Sequence, residues 1–234
     1  MPLTRREQLY AATITDIKDT ARQLMRQHGT NGLTLREIAR TMGMTAPGLY
    51  HYFANRDALI TALIIDAFNA LADTLEVAQS GPGTVVERLQ RALLAYRAWA
   101  ITNRTDFELI YGNPIPGYKA PRDTTVPAAA RSLKVFAALL AEAIAQGDLV
   151  PPPAYQSVPP LLAAHFTVLA QQSVGETLAS VPVEAFYLAV VAWPRIHGLI
   201  MLEIFEHLPP VVGDSTTFYA LQIDDMLREF GIRS

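Results

Sequence analysis

Between Leu33 and Leu59 the chain reads LTLREIARTMGMTAPGLYHYFANRDAL, a stretch that leaves little freedom of fold. Thr34 suits a helix N-cap, and Glu37 three residues on can reach back to the cap's own N–H. Leu35, Ile38, Ala39 and Met42 recur at the spacing of one helical face. Gly43 ends that helix, because glycine tolerates the left-handed conformation a helix C-terminus asks for. Thr45 opens a second helix at once, with Pro47 in the first turn, where a missing N–H costs nothing. Leu49 and Phe53 give this second helix a narrow apolar stripe. Two short helices separated by two or three residues make a helix-turn-helix, whose second member can enter the DNA major groove.

The positions off the Leu49/Phe53 stripe carry the functional expectation. Thr45, Ala46, Pro47, Gly48, Tyr50, His51 and Tyr52 are expected to face outward. Three consecutive aromatic or imidazole side chains on an exposed face are costly unless they touch something. Tyrosine hydroxyls and imidazole N–H groups suit phosphate oxygens, while threonine and imidazole suit base edges. At the start of the first helix, Thr34 and Arg36 are placed to meet the DNA backbone.

The pattern TxxEIAxxxGMTxPxLYxYFxNRDxL resembles the N-terminal domain of the TetR/AcrR family of bacterial repressors over residues 10–65. The resemblance implies a dimeric DNA-binding protein that reads double-stranded DNA with the second helix of the pair. It also implies phosphate contact by Arg56, at the first turn of the following helix. One departure stands out: the family often has Lys where this chain has Ala46, so base reading must lean on Thr45, Gly48, His51 and the tyrosines.

Charge is distributed to match. The net charge of −3 argues against binding nucleic acid over the whole surface. Residues 1–60, however, hold eight Lys/Arg against five Asp/Glu, a net +3, and the remainder carries −6. A basic end on an acidic body is expected where one domain alone meets phosphate. With 234 residues, half of them hydrophobic, the chain can bury a large core, and the absence of cysteine excludes disulfides, thiolate metal sites and cysteine nucleophiles. The N-terminus lacks an apolar run behind Arg5 and Arg6, so a secretory signal is not expected and the cytoplasm is the expected location.

The rest of the chain reads as helices separated by proline or glycine, and the fold class is all-α: a three-helix head followed by a helical bundle. A polar arm over residues 1–9 leads to a helix from Tyr10 to His28; the recognition pair follows, then a long helix from Arg56 to about Gln79. Further helices are expected at 85–103, 106–111, 126–146, 159–178, 182–208 and 218–230. The domain boundary is placed at 56/57, giving a DNA-binding domain over 1–56 and a ligand-binding and dimerisation domain over 57–234. Tyr187–Phe205 is the least polar segment, but Arg195, His197, Glu203 and Pro194 favour a buried helix over a membrane span.

Residues 193–208 resemble the W-x-x-x-HG pattern of the WHG subgroup of the same family. Helices 159–178 and 182–208 are apolar around most of their circumference and need burial on two sides, which a second copy of the chain would supply. Gly175, Trp193, His197, Gly198 and Leu202 are the candidates for that homodimer interface. The resemblance also implies a small-molecule effector. Tyr96, Trp99, Asn103, Phe107, Tyr111, Tyr118, Phe136, His165 and Phe166 either line a pocket for an apolar or aromatic ligand or fill the core. No cofactor is expected. Nucleophile and dinucleotide motifs are missing, and Glu203, Glu206 and His207 have metal-ligand spacing but sit at a helix end where a solvated charged turn is the simpler reading, so an enzyme is not expected. The alternative function is a helical ligand-binding or scaffold protein without sequence-specific DNA recognition.

Overall fold

The computed structural model describes residues 4–30, 33–173 and 181–232. Among these the structure is helical, with one isolated antiparallel bridge between Leu149 and Ile232. The chain divides into two compact units, Met1–Ala67 with Asn103–Thr125 and Phe68–Thr102 with Val126–Ser234. The head is therefore larger and less continuous than the expected boundary at 56/57.

In the first unit, α1 spans Arg5–His28, α2 Leu35–Thr41 and α3 Ala46–Tyr50, and α4 (Arg56–Gln79) contributes its N-terminal half. Helix α1 begins five residues earlier than its apolar periodicity predicts. The reason is a complete capping box: Thr4 accepts from the Glu7 N–H while the Glu7 carboxylate accepts from the Thr4 N–H at 2.7 Å. That pattern, T-x-x-E, stands in the sequence but is not followed directly by an apolar run. Ile17, Ala21, Leu24 and Met25 of α1 are buried, as are Leu35, Ile38 and Ala39 of α2 and Leu59, Ile60, Leu63 and Ile64 of α4. Helix α6 (Arg104–Tyr111) packs on α1, burying Phe107 and Leu109.

The second unit contains α5 (Val85–Thr102), α7 (Arg122–Gln146, from Val126 onward), α8 (Pro153–Gln156), α9 (Pro160–Ser173), α10 (Val183–Ile204), α11 (Pro209–Val212) and α12 (Ser215–Glu229). Helix α7 starts four residues before its expected first residue, since the Pro121 carbonyl accepts from both Thr124 and Thr125 and Pro127 falls within the early turns. The expected proline turns at 151–153 and 209–210 lead into one-turn helices, consistent with proline's fitness for a first helical turn. Helix α12 begins at Ser215 because the Asp214 carboxylate caps Thr216 and Thr217.

Helix α10 runs through Pro194 without ending and packs against α5, α8, α9 and α12. It is long and apolar enough by composition to cross a membrane. Two of its charges are nonetheless paired inside the unit: Glu203 takes two hydrogen bonds from Arg97, and Arg195 pairs with Glu229. Arg97 also lies 5.6 Å over the ring of Tyr219, whose buried hydroxyl donates to the Leu93 carbonyl. Burial pushes that phenol's pKa well up.

Candidate nucleic-acid interface

The two short helices of the head are joined by a Schellman turn. Gly43 at φ +65° lets the Met44 N–H reach the Ala39 carbonyl at 2.8 Å while its own N–H bonds Arg40. Thr34 caps α2 through the Glu37 N–H at 3.2 Å, and Thr45 caps α3 through the Gly48 N–H at 3.2 Å. Fully buried Leu49 and buried Phe53 anchor the inner side of the second element. Helix α3 closes at Tyr50, earlier than the Leu49/Phe53 stripe implies, and His51 is its C-cap.

Four of the seven positions expected to face outward are exposed. Thr45, Pro47, Tyr50 and His51 are exposed, while Ala46, Gly48 and Tyr52 are half-buried. Thr34 and Arg36 are exposed beside them at the start of α2. Arg36 and Tyr50 have no hydrogen-bonded or ionic partner among the described residues, so both side chains are available. The face has no cation within α3 itself; Arg36 and Arg40 on α2 and Arg56 at the start of α4 flank it in sequence.

Arg56, expected to contact phosphate, makes two hydrogen bonds to the protein's own backbone. Its Nε donates to the Leu33 carbonyl at 2.8 Å and an NH2 group donates to the Thr30 carbonyl at 3.1 Å. These carbonyls belong to the segment between α1 and α2, so the guanidinium ties the entry of α4 to that segment. Asn55 caps α4 through the Ala58 N–H, as its position before the helix predicts. A residue outside the expected set joins the surface: Tyr10 of α1 stacks on Tyr52, ring centroids 5.0 Å apart. Helical periodicity gives no signal for a contact across 42 residues.

The expected pocket residues divide between the two units. Asn103, Phe107, Tyr111 and Tyr118 belong to the head, where Phe107 and Tyr111 meet at 5.3 Å and the Tyr118 hydroxyl bonds Thr61. Tyr96, Trp99, Phe136, His165 and Phe166 belong to the second unit. There Tyr96 and Trp99 are buried, and Tyr96 faces Phe136 at 6.3 Å. Phe166 packs edge-on against Phe186, whereas His165 is exposed, because it lies off the side of α9 that Phe166 buries. A shallow cavity of about 210 Å³ elsewhere in this unit is lined by Arg195, Ile196, Leu199, Gln222 and Met226, none of them expected.

Of the expected interface residues, Trp193 and Leu202 are exposed on α10, Gly198 is half-buried with open space around it, and Gly175 lies outside the described residues. His197 turns inward instead, its Nδ1 2.9 Å from the Tyr96 hydroxyl, and burial holds its pKa below the usual imidazole range. The phenol and the imidazole nitrogen share one hydrogen bond, whose donor is set by the ring's tautomer. Glu203, considered above for its spacing to His207, is committed to Arg97.

Residues 17–63 match the family described as bacterial regulatory proteins of the tetR family, and residues 89–226 match the tetracyclin repressor-like C-terminal domain. The chain belongs to the TetR family. The HTH-type transcriptional regulators Mb1846 of Mycobacterium bovis and Rv1816 of Mycobacterium tuberculosis are each 34% identical to this TetR-family chain over 223 residues, covering 91% of it and 90% of the relative. A crystal structure of the regulatory protein SCO4313 superposes with a TM-score of 0.77 at 31% identity, covering 96% of this chain and all of that one. A tetR-family regulatory protein from Rhodococcus RHA1 shares the fold, with a TM-score of 0.65 at 16% identity over 94% and 98% of the two chains. This TetR-family member is thus an all-α, DNA-binding transcriptional regulator and not an enzyme.

Proposed function

We propose that the protein acts in the cytoplasm as a homodimeric repressor of a palindromic operator, released by a small apolar or aromatic effector. The observation that carries the DNA part is the outward face of the recognition element. Thr45, Tyr50 and His51 stand exposed on a scaffold fixed by two caps, a Schellman turn and buried Leu49, with exposed Arg36, unpaired among the described residues, beside them. Rigid support with available donors is what base and phosphate contacts require. Thr34, Ala46, Pro47, Gly48 and Tyr52 complete the proposed contact set, and Arg56 acts as a brace behind it.

The dimer reading is supported by apolar side chains left uncovered on α9 and α10. Leu161 is 87% exposed, and Leu162, Val168, Trp193 and Leu202 each exceed 40%. A second copy would cover them, placing two recognition helices about 34–36 Å apart, one turn of B-DNA. The effector reading rests on Tyr96, Trp99 and Phe136 with the Tyr96–His197 pair as the polar group among them. An effector would act by favouring one dimer geometry over another, so a displacement of a few ångströms between half-sites would release DNA.

Selection of binding sites from random duplex DNA tests the reading. An enriched palindrome with half-site centres about 10 base pairs apart is expected. Salt-labile binding with no enriched sequence would favour the helical scaffold alternative, and a monomer by light scattering at micromolar concentration would remove the dimer.

A further inference from the structure

We infer that Tyr10, on the first helix, is a positioning residue for base reading: with Tyr52 it holds the His51 ring in place at the end of the recognition helix. This rests on the DNA-reading role proposed above. Helix α3 is only five residues long, and a helix of that length is not stable by its own hydrogen bonds. Its first turn is fixed by Thr45 and Leu49, but His51 and Tyr52 follow the last helical residue and sit in a turn closed by the Leu49 carbonyl. Nothing in α3 itself orients their rings.

Three ring contacts do. Tyr10 and Tyr52 are stacked, with centroids 5.0 Å apart and planes 28° from parallel. His51 meets Tyr52 edge-on at 5.5 Å and meets Tyr10 edge-on at 6.0 Å, with interplanar angles of 82° and 87°. Each geometry is one that aromatic quadrupoles favour. The cluster is not a piece of core, for Tyr10 is 40% exposed and His51 is exposed as well. A closed ring triad at the surface, with one member from a different helix, restricts the imidazole without burying it. Neither of its nitrogens has a hydrogen-bond partner among the described residues, and less rotamer freedom is lost when a contact to a base edge or a phosphate forms.

The test uses the full-length protein and the duplex enriched by wild type from a random pool. Tyr10→Ala is expected to weaken binding to that duplex about five- to tenfold, to flatten the base preference at one position per half-site, and to change binding to a scrambled duplex less than about twofold. Tyr10→Phe restores both affinity and preference, while Tyr10→Leu, which keeps apolar contact but no ring, does not. In the DNA-free protein the His51 ring-proton resonances, assigned by comparison with His51→Gln, shift in Tyr10→Ala and stay put in Tyr10→Phe. Unchanged affinity and base preference in Tyr10→Ala would overturn the inference. So would equal losses on enriched and scrambled duplex that track a lower melting temperature, since these mark a purely structural role. If wild type enriches no sequence, the positioning role falls with the DNA-reading role; if it enriches one and Tyr10→Ala behaves as wild type, only the positioning role falls.

Discussion

Arg22 donates its Nε–H to both carboxylate oxygens of Asp106, at 3.0 and 3.2 Å, across 84 residues of chain. Both side chains are largely buried, at 19% and 16% exposure. Asp19 and Asp66 lie 3.2 and 3.8 Å from the same guanidinium, and Lys18 pairs with Asp66 at 2.7 Å. Charged groups on α1, α4 and α6 therefore form one network, and through it α6 is held as part of the head.

Asp106→Asn should lower unfolding stability by about 1–3 kcal/mol, because it leaves a mostly buried guanidinium with weaker partners. Adding Arg22→Gln should recover part of the loss, and urea unfolding of the two single variants and the double variant measures this coupling. Strict additivity would show that the pair contributes nothing jointly.

Tyr50→Ala should leave the melting temperature unchanged, since the side chain is 49% exposed and has no partner among the described residues. Affinity for the selected operator should fall about tenfold or more, the equivalent of one lost contact of about 1.4 kcal/mol. Retained affinity would move base reading away from the exposed face of α3.

Acid should destabilise the fold partly through His197. Burial holds its folded pKa below the ordinary 6.5, so the unfolded chain takes up the proton first as pH falls. The contribution is whole above about pH 6.5 and is lost as pH drops through the lower native value. Melting curves at pH 7.5 and 5 should show a smaller difference in His197→Gln than in wild type; an equal difference would assign the acid sensitivity to other groups.

Gly231→Ala should be strongly destabilising for its chemistry. The residue sits at φ +89°, and a Cβ there would lie 2.0 Å from the Val150 carbonyl oxygen. The bond from the Val150 N–H to the Gly231 carbonyl and the Leu149–Ile232 bridge depend on that approach. A loss exceeding about 1 kcal/mol is expected in thermal unfolding. A wild-type melting temperature would mean the C-terminal segment can leave its place at little cost.

What could be read from the sequence was mostly local. Caps at Thr34, Thr45 and Asn55 and the stop at Gly43 follow from side-chain and backbone chemistry within three or four residues, and the structure has all of them. The outward positions of the recognition element follow from the Leu49/Phe53 stripe, although Ala46, Gly48 and Tyr52 are half-buried. The Thr4–Glu7 box is equally local, but it stands in a polar segment whose composition reads as an arm. Contacts between distant segments were not legible. No periodicity announces that Arg56 will seek the carbonyls of Thr30 and Leu33, that Tyr10 will stack on Tyr52, or that Asp106 will face Arg22. The expected pocket residues fall in both units for the same reason: hydrophobic spacing shows which side of a helix is buried, not which compact unit buries it.

The head is built from two separated pieces of chain, and this limits how it can be exchanged. A fragment cut after Ala67 would lose Asp106 from beside Arg22 and uncover the surface that buried Phe107 covers. Grafting the reader of this protein onto another sensor therefore means carrying residues 103–125 along with it. A chimera joined at a single crossover would inherit its operator preference from one parent and the underside of its head from the other.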